Sequence, residues 1–333
     1  MLVTASVAAM LALAFKQDRQ RPELRLDEVS DPVPGPPEVL LRVHATALNH
    51  ADLQQVRGLY PPPPGESAIP GLEAAGVVEA LGEGVEGWRV GDRAMALLAG
   101  GGHAEKVAAP VGQLLPIPAS LSFEEAAAIP EVGLTAWTNL VHEGGLQRGE
   151  TVLITAAASG VGSFAVQLAR ELGARVLVAG RSMERLQALL PLGAEAAFEL
   201  GDDLSARVRE ATGSEGVHLV IDLVGGEAIV QHLDCLRERG RLVLVGLLGG
   251  GRATVPLFAL MRRRLRLIGS VLRARSREEK AALVAAFGDF ALPRLADGRL
   301  RPVVDRVLPF AQIAEAYAAI ERGGLLGKVV VTV

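Results

Sequence analysis

Two patterns of hydrophobic and polar residues divide this chain. In the first third, short apolar segments alternate with turns that are rich in glycine and proline. Short strands between frequent turns are typical of a small β-barrel rather than a layered α/β unit. Strands are predicted there at 39–47, 76–80 and 93–97.

After residue 121 the pattern changes to alternating strands and helices. Six short apolar segments rich in β-branched residues are each followed by a stretch with helical periodicity. This alternation predicts a doubly wound parallel sheet with crossover helices, and the chain then ends in two helices and a final strand. Helices are predicted at 123–129, 133–142, 163–172, 183–192, 204–212, 227–236, 256–263, 277–295 and 310–322, and strands at 152–155, 175–179, 196–198, 218–222, 241–245, 265–271 and 327–333.

The first of these strands leads into a loop of small residues. Residues 151–162 read TVLITAAASGVG, and a helical stretch follows. A helix that begins behind such a loop directs free N–H groups and its positive dipole end at a pyrophosphate. The glycine positions of GxGxxG hold Ala157, Ser159 and Gly162, so a tight turn without a ligand remains the alternative. The predicted pyrophosphate contacts are Ser159, Gly160, Val161 and Gly162.

The end of the next strand indicates which dinucleotide binds. Residues 178–182 read VAGRS, with none of the acidic side chains that bind the ribose hydroxyls of NAD. Arg181 can pair with a 2′-phosphate or stack on adenine, and Ser182 can donate to the same phosphate. Arg185 lies one helical turn further, where a surface arginine is the alternative. We therefore expect NADPH, with Gly180, Arg181, Ser182 and Arg185 as contacts.

Composition excludes several classes of protein. The 333 residues allow two domains, and a formal net charge of −4 argues against nucleic acid as the main partner. Four arginines at 262–264 and 266 are interpreted as a solvated surface. The single cysteine, Cys235, excludes an intrachain disulfide and a multi-cysteine zinc site, and it is expected in the core.

No membrane span or targeting signal is expected. The chain has no stretch of about 18 uninterrupted apolar residues. Residues 1–15 lack the positively charged start of a signal peptide, so 10–15 is predicted as the first strand and the residues before it as a short extension. We expect a cytoplasmic protein.

A set of ordered motifs resembles one family along nearly the whole chain. These motifs include ALNHADLQQVRGLYPPPPG at 47–65, PGLEAAGVVEALG at 70–82, AAASGVG at 156–162 and GKVVVTV at 327–333. They are similar to the medium-chain dehydrogenase/reductase superfamily, and within it to the zinc-free quinone oxidoreductases. The subgroup of the tumour-suppressor-inducible quinone reductase resembles the chain most.

The resemblance implies the fold and the assembly. It implies a GroES-like β-barrel catalytic domain at 10–131 and 274–333, interrupted by a Rossmann domain at 132–273. The active site is then expected in the cleft between the two domains. Relatives pair the last strand of the Rossmann sheet, here predicted at 265–271, across a two-fold axis, so a homodimer is expected.

The resemblance also implies that no metal takes part. Where zinc-dependent relatives carry a cysteine and a histidine as ligands, this chain has Asn49 and Leu72. An amide oxygen is a poor zinc ligand and an aliphatic side chain is none. Glu73 and His50 are interpreted as hydrogen-bonding residues of the cleft wall. Without a Lewis acid to stabilise an alkoxide, reduction of an activated acceptor is favoured over alcohol oxidation.

Further site residues follow from the matched motifs. Asn49 and Tyr60 are the expected catalytic residues, and Tyr60 either donates a proton or covers the nicotinamide ring. Lys328 is predicted to reach the cofactor, with a charged turn as the alternative. The remaining predicted cofactor contacts, five of which follow the carboxyl ends of strands, are Thr135, Val224, Gly225, Gly246, Leu247 and Leu248.

Three functions are compatible with these residues. The leading hypothesis is an NADPH-dependent quinone oxidoreductase that transfers hydride to a small-molecule quinone. The alternative within the same class is a reductase of enones or enoyl thioesters. The third is a cofactor-binding protein with little catalysis, against which the polar residues expected at the cleft and the acidic net charge argue.

Overall fold

The computed structural model describes residues 9–333, which form two compact units. The first, called the split unit, comprises 9–131, Arg273–Gly298 and Val304–Val333. The second, called the inserted unit, comprises Val132–Leu272 and Arg299–Val303. The short extension expected before the first strand lies outside the described residues.

Strands and helices are numbered in chain order. The strands are β1 Ala9–Lys16, β2 Glu23–Ser30, β3 Glu38–Ala47, β4 Glu73–Leu81, β5 Arg93–Leu97, β6 Lys106–Pro110, β7 Leu114–Pro116, β8 Thr151–Ile154, β9 Arg175–Gly180, β10 Ala196–Glu199, β11 Val217–Asp222, β12 Leu236–Leu244, β13 Arg266–Gly269, β14 Val304–Pro309 and β15 Lys328–Thr332. The helices are α1 His50–Val56, α2 Phe123–Ala127, α3 Pro130–Trp137, α4 Gly160–Glu171, α5 Met183–Gln187, α6 Leu204–Ala211, α7 Ala228–Cys235, α8 Leu257–Arg263, α9 Arg277–Ala296 and α10 Ile313–Arg322.

The split unit is built on a seven-stranded sheet. Its order is β14-β15-β3-β4-β5-β7, and β6 pairs with β3. Because side chains alternate across a strand, Val39, Leu41 and Val43 of β3 all reach one core cluster, where Val78 of β4 joins them. The last strand, β15, pairs with β3, so residues from both ends of the described chain share one sheet.

The inserted unit is the predicted doubly wound sheet. Its six strands are all parallel, in the order β10-β9-β8-β11-β12-β13. Buried aliphatic residues such as Leu153, Leu177 and Val220 form its core. The predicted fold class, a GroES-like β-rich domain with a Rossmann sheet, is confirmed. Cys235 is fully buried in this core, as expected, and burial raises the pKa of its thiol to about 12.

Several strands differ from the sequence prediction, and charged residues explain two of the differences. Strand β2 escapes the prediction because its ELRLDEVS sequence is largely polar. Strand β12 begins at Leu236, five residues before the predicted start, because the charged residues at 237–239 mask its apolar pattern. Strands β6, β7 and β14 were not predicted either. Across residues 9–333, no helix is both long enough and apolar enough to span a bilayer.

Candidate active site

The loop between β8 and α4 carries unpaired backbone donors. The Ser159 side chain caps α4 by accepting from the Gly162 N–H at 3.1 Å. No hydrogen bond within the described chain uses the N–H groups of Gly160 or Val161. They lie at a helix N-terminus, where the dipole favours an anion.

Gly162 is required by the close approach of helix and strand. A Cβ atom built at this position would lie 2.6 Å from the Cα and the carbonyl oxygen of Ala157. Any side chain would therefore force the loop away from the helix. Just before the loop, Ala156 adopts a left-handed backbone with φ of 46°, which is uncommon outside glycine. The tight turn thus persists although alanines occupy positions where glycine is usual.

An arginine without a partner lies at the carboxyl end of β9. Arg181 is exposed, and its guanidinium makes no hydrogen bond or ion pair with any described residue. Ser182 caps α5 by accepting from the Arg185 N–H at 3.4 Å, so its hydroxyl keeps a free O–H donor. Gly180 ends β9, and Arg185 lies in the first turn of α5. A free cation and a hydroxyl at a strand end match the needs of a phosphate.

Asp222 joins two more loops at this edge of the sheet. Its carboxylate oxygen Oδ1 accepts from the N–H groups of Val224 at 2.8 Å and Gly225 at 3.1 Å, and from the Thr155 hydroxyl at 3.2 Å. Its backbone oxygen accepts from the N–H groups of Val245 and Gly246. Although burial opposes ionisation, the bond with His232 and the backbone donors hold the pKa of Asp222 below its usual range. Asp222 therefore positions the two loops that carry predicted cofactor contacts.

The other predicted contacts of the inserted unit are also located. Leu247 and Leu248 are more than half exposed in the loop after β12, whereas Thr135 is buried in α3. The free N–H groups of the α4 loop, the glycine that admits close approach and the unpaired Arg181 together fit a dinucleotide.

In the split unit, a buried ion pair organises the polar residues. The Lys328 ammonium lies 2.7 Å from Oε1 of Glu73, and both side chains are almost fully buried. Lys328 also donates to Asn49 Oδ1 at 2.6 Å and to the Leu48 carbonyl at 2.7 Å. An ammonium has three donors, so every one of them has an acceptor within this unit. The contact of Lys328 with the cofactor remains a prediction. In this structure, the three donors of its ammonium bind acceptors within the split unit.

The Asn49 amide is held at both ends. Its Oδ1 accepts from Lys328, and its Nδ2 donates to Glu73 Oε1 at 2.9 Å. The backbone N–H of Asn49 donates to the buried Asp52 carboxylate, which also accepts from the Gly71 N–H. Asn49 is thus rigidly oriented, with a free lone pair on Oδ1 as its main remaining capacity.

These residues do not fit a zinc ion. Leu72 offers no donor atom, and the Asn49 oxygen already accepts from an ammonium. The cation beside Glu73 is the side chain of Lys328. Among residues 9–333, no group of three or more His, Cys, Asp or Glu side chains gathers in a ligating arrangement. His50 instead pairs with Gln54 at 2.9 Å on the exposed side of α1.

Tyr60 carries an unpaired phenol over a fixed arginine. The Arg273 guanidinium lies 5.2 Å from the ring centroid of Tyr60. It is held by the carbonyls of Tyr60 and Ala99 and by Gln55 Oε1. The Tyr60 hydroxyl has no hydrogen-bond partner in the described residues. Burial, and then the charge of Glu131, raise the pKa of Tyr60, so the phenol stays a neutral donor.

The second tyrosine has a different environment. Tyr317 is 2% exposed and its hydroxyl lies 3.0 Å from Nδ1 of the buried His103. Its ring packs in the core beside α10 and β15. Tyr317 is therefore a packing residue of the split unit.

Sequence reasoning missed three residues near these sites. Asp222 was predicted only as the last residue of the strand at 218–222, although an acid followed by LVGG at the end of a buried strand can indicate loop positioning. Glu131 follows a proline at the start of α3, and its backbone N–H donates to Glu73 Oε2 at 2.9 Å. Arg273 lies in the motif GSVLRARS, but nothing in that motif indicates that it contacts Tyr60. These contacts join residues far apart in sequence, which spacing does not encode.

The buried pair yields a stability prediction. We expect Lys328→Met to lower the free energy of unfolding by about 3–5 kcal/mol, because Glu73 would be left buried without its cation. Combining it with Glu73→Gln should recover part of that loss, since no uncompensated charge remains. Denaturant unfolding of the four proteins of this cycle checks the coupling. Strict additivity of the two single changes would contradict the buried pair.

Comparisons with known proteins agree with this architecture. A family model described as an alcohol dehydrogenase GroES-like domain matches residues 35–119, and one described as a zinc-binding dehydrogenase matches 160–287. Quinone oxidoreductase-like protein 2 of Bos taurus is 32% identical over 96% of this chain and 91% of its own length.

Solved structures extend the similarity. A quinone oxidoreductase from Thermus thermophilus, also solved in complex with NADPH, is 40% identical, with a TM-score of 0.83 over 97% of this chain and all of its own. A protein named NAD-dependent alcohol dehydrogenase is 31% identical, with a TM-score of 0.85 over 97% of this chain and 99% of its own. Sequence and fold therefore agree over nearly the whole length: the chain belongs to the medium-chain dehydrogenase/reductase superfamily, among relatives named quinone oxidoreductases.

Proposed function

We propose that this protein is an NADPH-dependent quinone oxidoreductase that works without a metal. The observation that carries the proposal is the polar site of the split unit, in which Glu73, Asn49 and Lys328 satisfy one another and the Tyr60 phenol remains a free donor. Such a site offers a hydrogen bond but no strong electrophile. It therefore suits an acceptor that is already activated, such as a quinone.

NADPH, when bound, supplies the hydride. The chain's own residues bind and orient the two reactants. Tyr60 donates to one oxygen of a flat quinone, and its raised pKa keeps the donor proton in place. Asn49 forms a rigid part of the wall, because Glu73 and Lys328 fix its amide. Support for NADPH over NADH comes from the exposed, unpaired Arg181 and from the NADPH complex of the Thermus relative.

A reductase of enones or enoyl thioesters is the second candidate. It is favoured by the same free phenol, because reduction of a carbon–carbon double bond requires a proton at the α-carbon. A quinone needs no acid at a carbon atom, since its proton is delivered to oxygen. The role of Tyr60 therefore differs between the two reactions.

We also propose that two copies associate through the edge of the inserted sheet. Strand β13 pairs only with β12, and Leu267 on it is 41% exposed. The neighbouring α8 has no buried residue, and its Phe258 and Met261 are about three-quarters exposed. An unpaired strand edge beside exposed apolar side chains favours pairing with a second copy of this chain.

Arg181 tests the cofactor assignment. We expect Arg181→Asp to lose a charge-assisted hydrogen bond of about 1.5–3 kcal/mol and to add repulsion against the 2′-phosphate. The preference for NADPH over NADH, measured as the ratio of their Kd values, should fall by at least about tenfold. Arg21→Asp, the same charge change in the exposed turn between β1 and β2, should leave the ratio unchanged. An unaltered ratio in Arg181→Asp would show that this assignment is wrong.

Tyr60 tests the reaction. With a quinone, Tyr60→Phe should weaken catalysis by about one hydrogen bond, roughly 0.5–1.5 kcal/mol in kcat/KM. If Tyr60 were the acid for an enoyl substrate, the loss would be about 10²–10⁴ in turnover. Tyr317→Phe, a change at the chain's other tyrosine, should lower stability without this effect on catalysis.

The assay measures NADPH oxidation with quinones, enones and enoyl thioesters for the wild type and both variants. Faster turnover of an enoyl thioester, nearly abolished in Tyr60→Phe, would make the second candidate correct. NADPH binding without oxidation by any acceptor would indicate a cofactor-binding protein.

The edge strand tests the assembly. We expect the wild-type protein to be a dimer by light scattering at micromolar concentration. Leu267→Lys should shift it towards the monomer, because a charge on β13 disfavours edge pairing. Val33→Lys, at a position that is 88% exposed in the split unit, is the matched control and should stay dimeric. A monomeric wild type would refute this arrangement.

A further inference from the structure

Glu131 carries a carboxyl group that nothing in the described chain satisfies. It lies in the first turn of α3, and its backbone N–H donates to Glu73 Oε2 at 2.9 Å. Its side chain is mostly enclosed but keeps some access to solvent. The carboxyl makes no hydrogen bond or ion pair with a described residue, although most polar side chains around it are paired.

Charged groups from four elements face this carboxyl. They are Asp52 on α1, Glu73 on β4, Lys280 on α9 and Lys328 on β15. Lys328, which pairs with Glu73, lowers the pKa of Glu131, but burial and the charge of Glu73 have the larger effect. Burial, and then the charge of Glu73, raise the pKa of Glu131 to about 8. The carboxyl is therefore a neutral acid at neutral pH.

Glu131 also interacts electrostatically with the free phenol of Tyr60. Its charge contributes to the raised pKa of Tyr60, and Arg273, which lies over the Tyr60 ring, acts on both groups. Tyr60 is thereby a worse acid than an ordinary phenol, whereas Glu131 has a proton that it can release near neutral pH. A catalytic acid is most effective when its pKa lies near the working pH.

Resting on the proposed quinone reduction, we propose that Glu131, whose backbone binds Glu73 in the Asn49 network and whose carboxyl is unpaired, is the proton donor to the reduced acceptor. Reduction of a quinone to a hydroquinone takes two electrons and two protons. One hydride brings both electrons and one proton. The second proton leaves Glu131: its O–H bond breaks as the second O–H bond of the hydroquinone forms. Glu131 then regains a proton from solvent, so no further oxidant or reductant is needed.

Lys280 is the alternative proton donor, and the experiment must distinguish its effect from that of Glu131. It is 3% exposed, and its ammonium has no hydrogen bond or ion pair among residues 9–333. Burial lowers the pKa of Lys280, while Glu66 and Glu131 oppose that shift. Because its positive charge lowers the pKa of Glu131, its removal should raise that pKa.

The experiment compares pH profiles of kcat/KM for quinone reduction from pH 6 to 10. The wild type should be constant at low pH and decline above about pH 8. Glu131→Gln should lack this decline, and at pH 6.5 its rate should lie roughly tenfold or more below the wild type. Lys280→Met should move the decline to higher pH. Glu210→Gln, the same change on the exposed face of α6, should reproduce the wild-type profile.

Two results would overturn the proposal. If Glu131→Gln keeps the decline near pH 8, Glu131 is not the titrating donor. If Lys280→Met abolishes the decline while Glu131→Gln retains it, the donor is Lys280.

A thermal measurement without cofactor or acceptor reports the titration directly. The folded pKa of Glu131 lies above the ordinary value of 4.5, so its contribution to stability is full below pH 4.5 and is lost as pH rises to about 8. The Tm of the wild type relative to Glu131→Gln should therefore fall between pH 5 and 8, and a constant difference would overturn the proposal. The pH-dependent difference in Tm could appear although no acceptor is reduced. Glu131 would then titrate as expected, but the proposed function would be wrong, and so would the role of Glu131 as proton donor.

Discussion

The ion pair between Glu73 and Lys328 is the interaction on which the split unit depends. Its partners lie on β4 and β15, and each is almost fully buried. Desolvating two charges costs several kcal/mol per ion, so the pair persists only because further hydrogen bonds satisfy both groups. Asn49, the Leu48 carbonyl and the Glu131 N–H provide those bonds.

This pair also sets the electrostatics of its surroundings. At the neighbouring carboxyl of Glu131, burial and the charge of Glu73 outweigh the opposing charge of Lys328, and the pKa rises to about 8. Burial, and then the charge of Glu131 in its ionised form, in turn raise the pKa of Tyr60. The region therefore has two groups that hold a proton, the Glu131 carboxyl and the Tyr60 phenol. Such groups suit the proposed reaction, in which a hydride and a proton are transferred.

The fold was predictable because its signals are local. β-branched segments alternating with helical periodicity indicated the six-stranded sheet, and turn-rich short strands indicated the β-rich domain. Strands with charged faces, such as β2, gave no such signal. The loop residues around Gly162 were also predictable, since a strand, small residues and a helix are adjacent in sequence.

The contacts within the site were less predictable. Lys328 was expected to face the cofactor, yet its ammonium is held by an acid 255 positions earlier, a pairing that spacing along the chain does not encode. Asp222 joins two loops through backbone donors, which leave no mark on residue type. The direct contacts of Asn49 and Tyr60 with a substrate stay predictions that the experiments address.

The pairing of β15 with β3 has a consequence for the order in which the protein folds. Most of the inserted unit is one continuous stretch, Val132–Leu272, whose six strands pair with one another, so it can fold while the chain is still being synthesised. The split unit must wait for β15. Until Lys328 has emerged from the ribosome, Glu73 has no cation to pair with, and the Asn49 amide has nothing to hold its oxygen. The polar site is therefore assembled late, after the six-stranded sheet is available as a folded body.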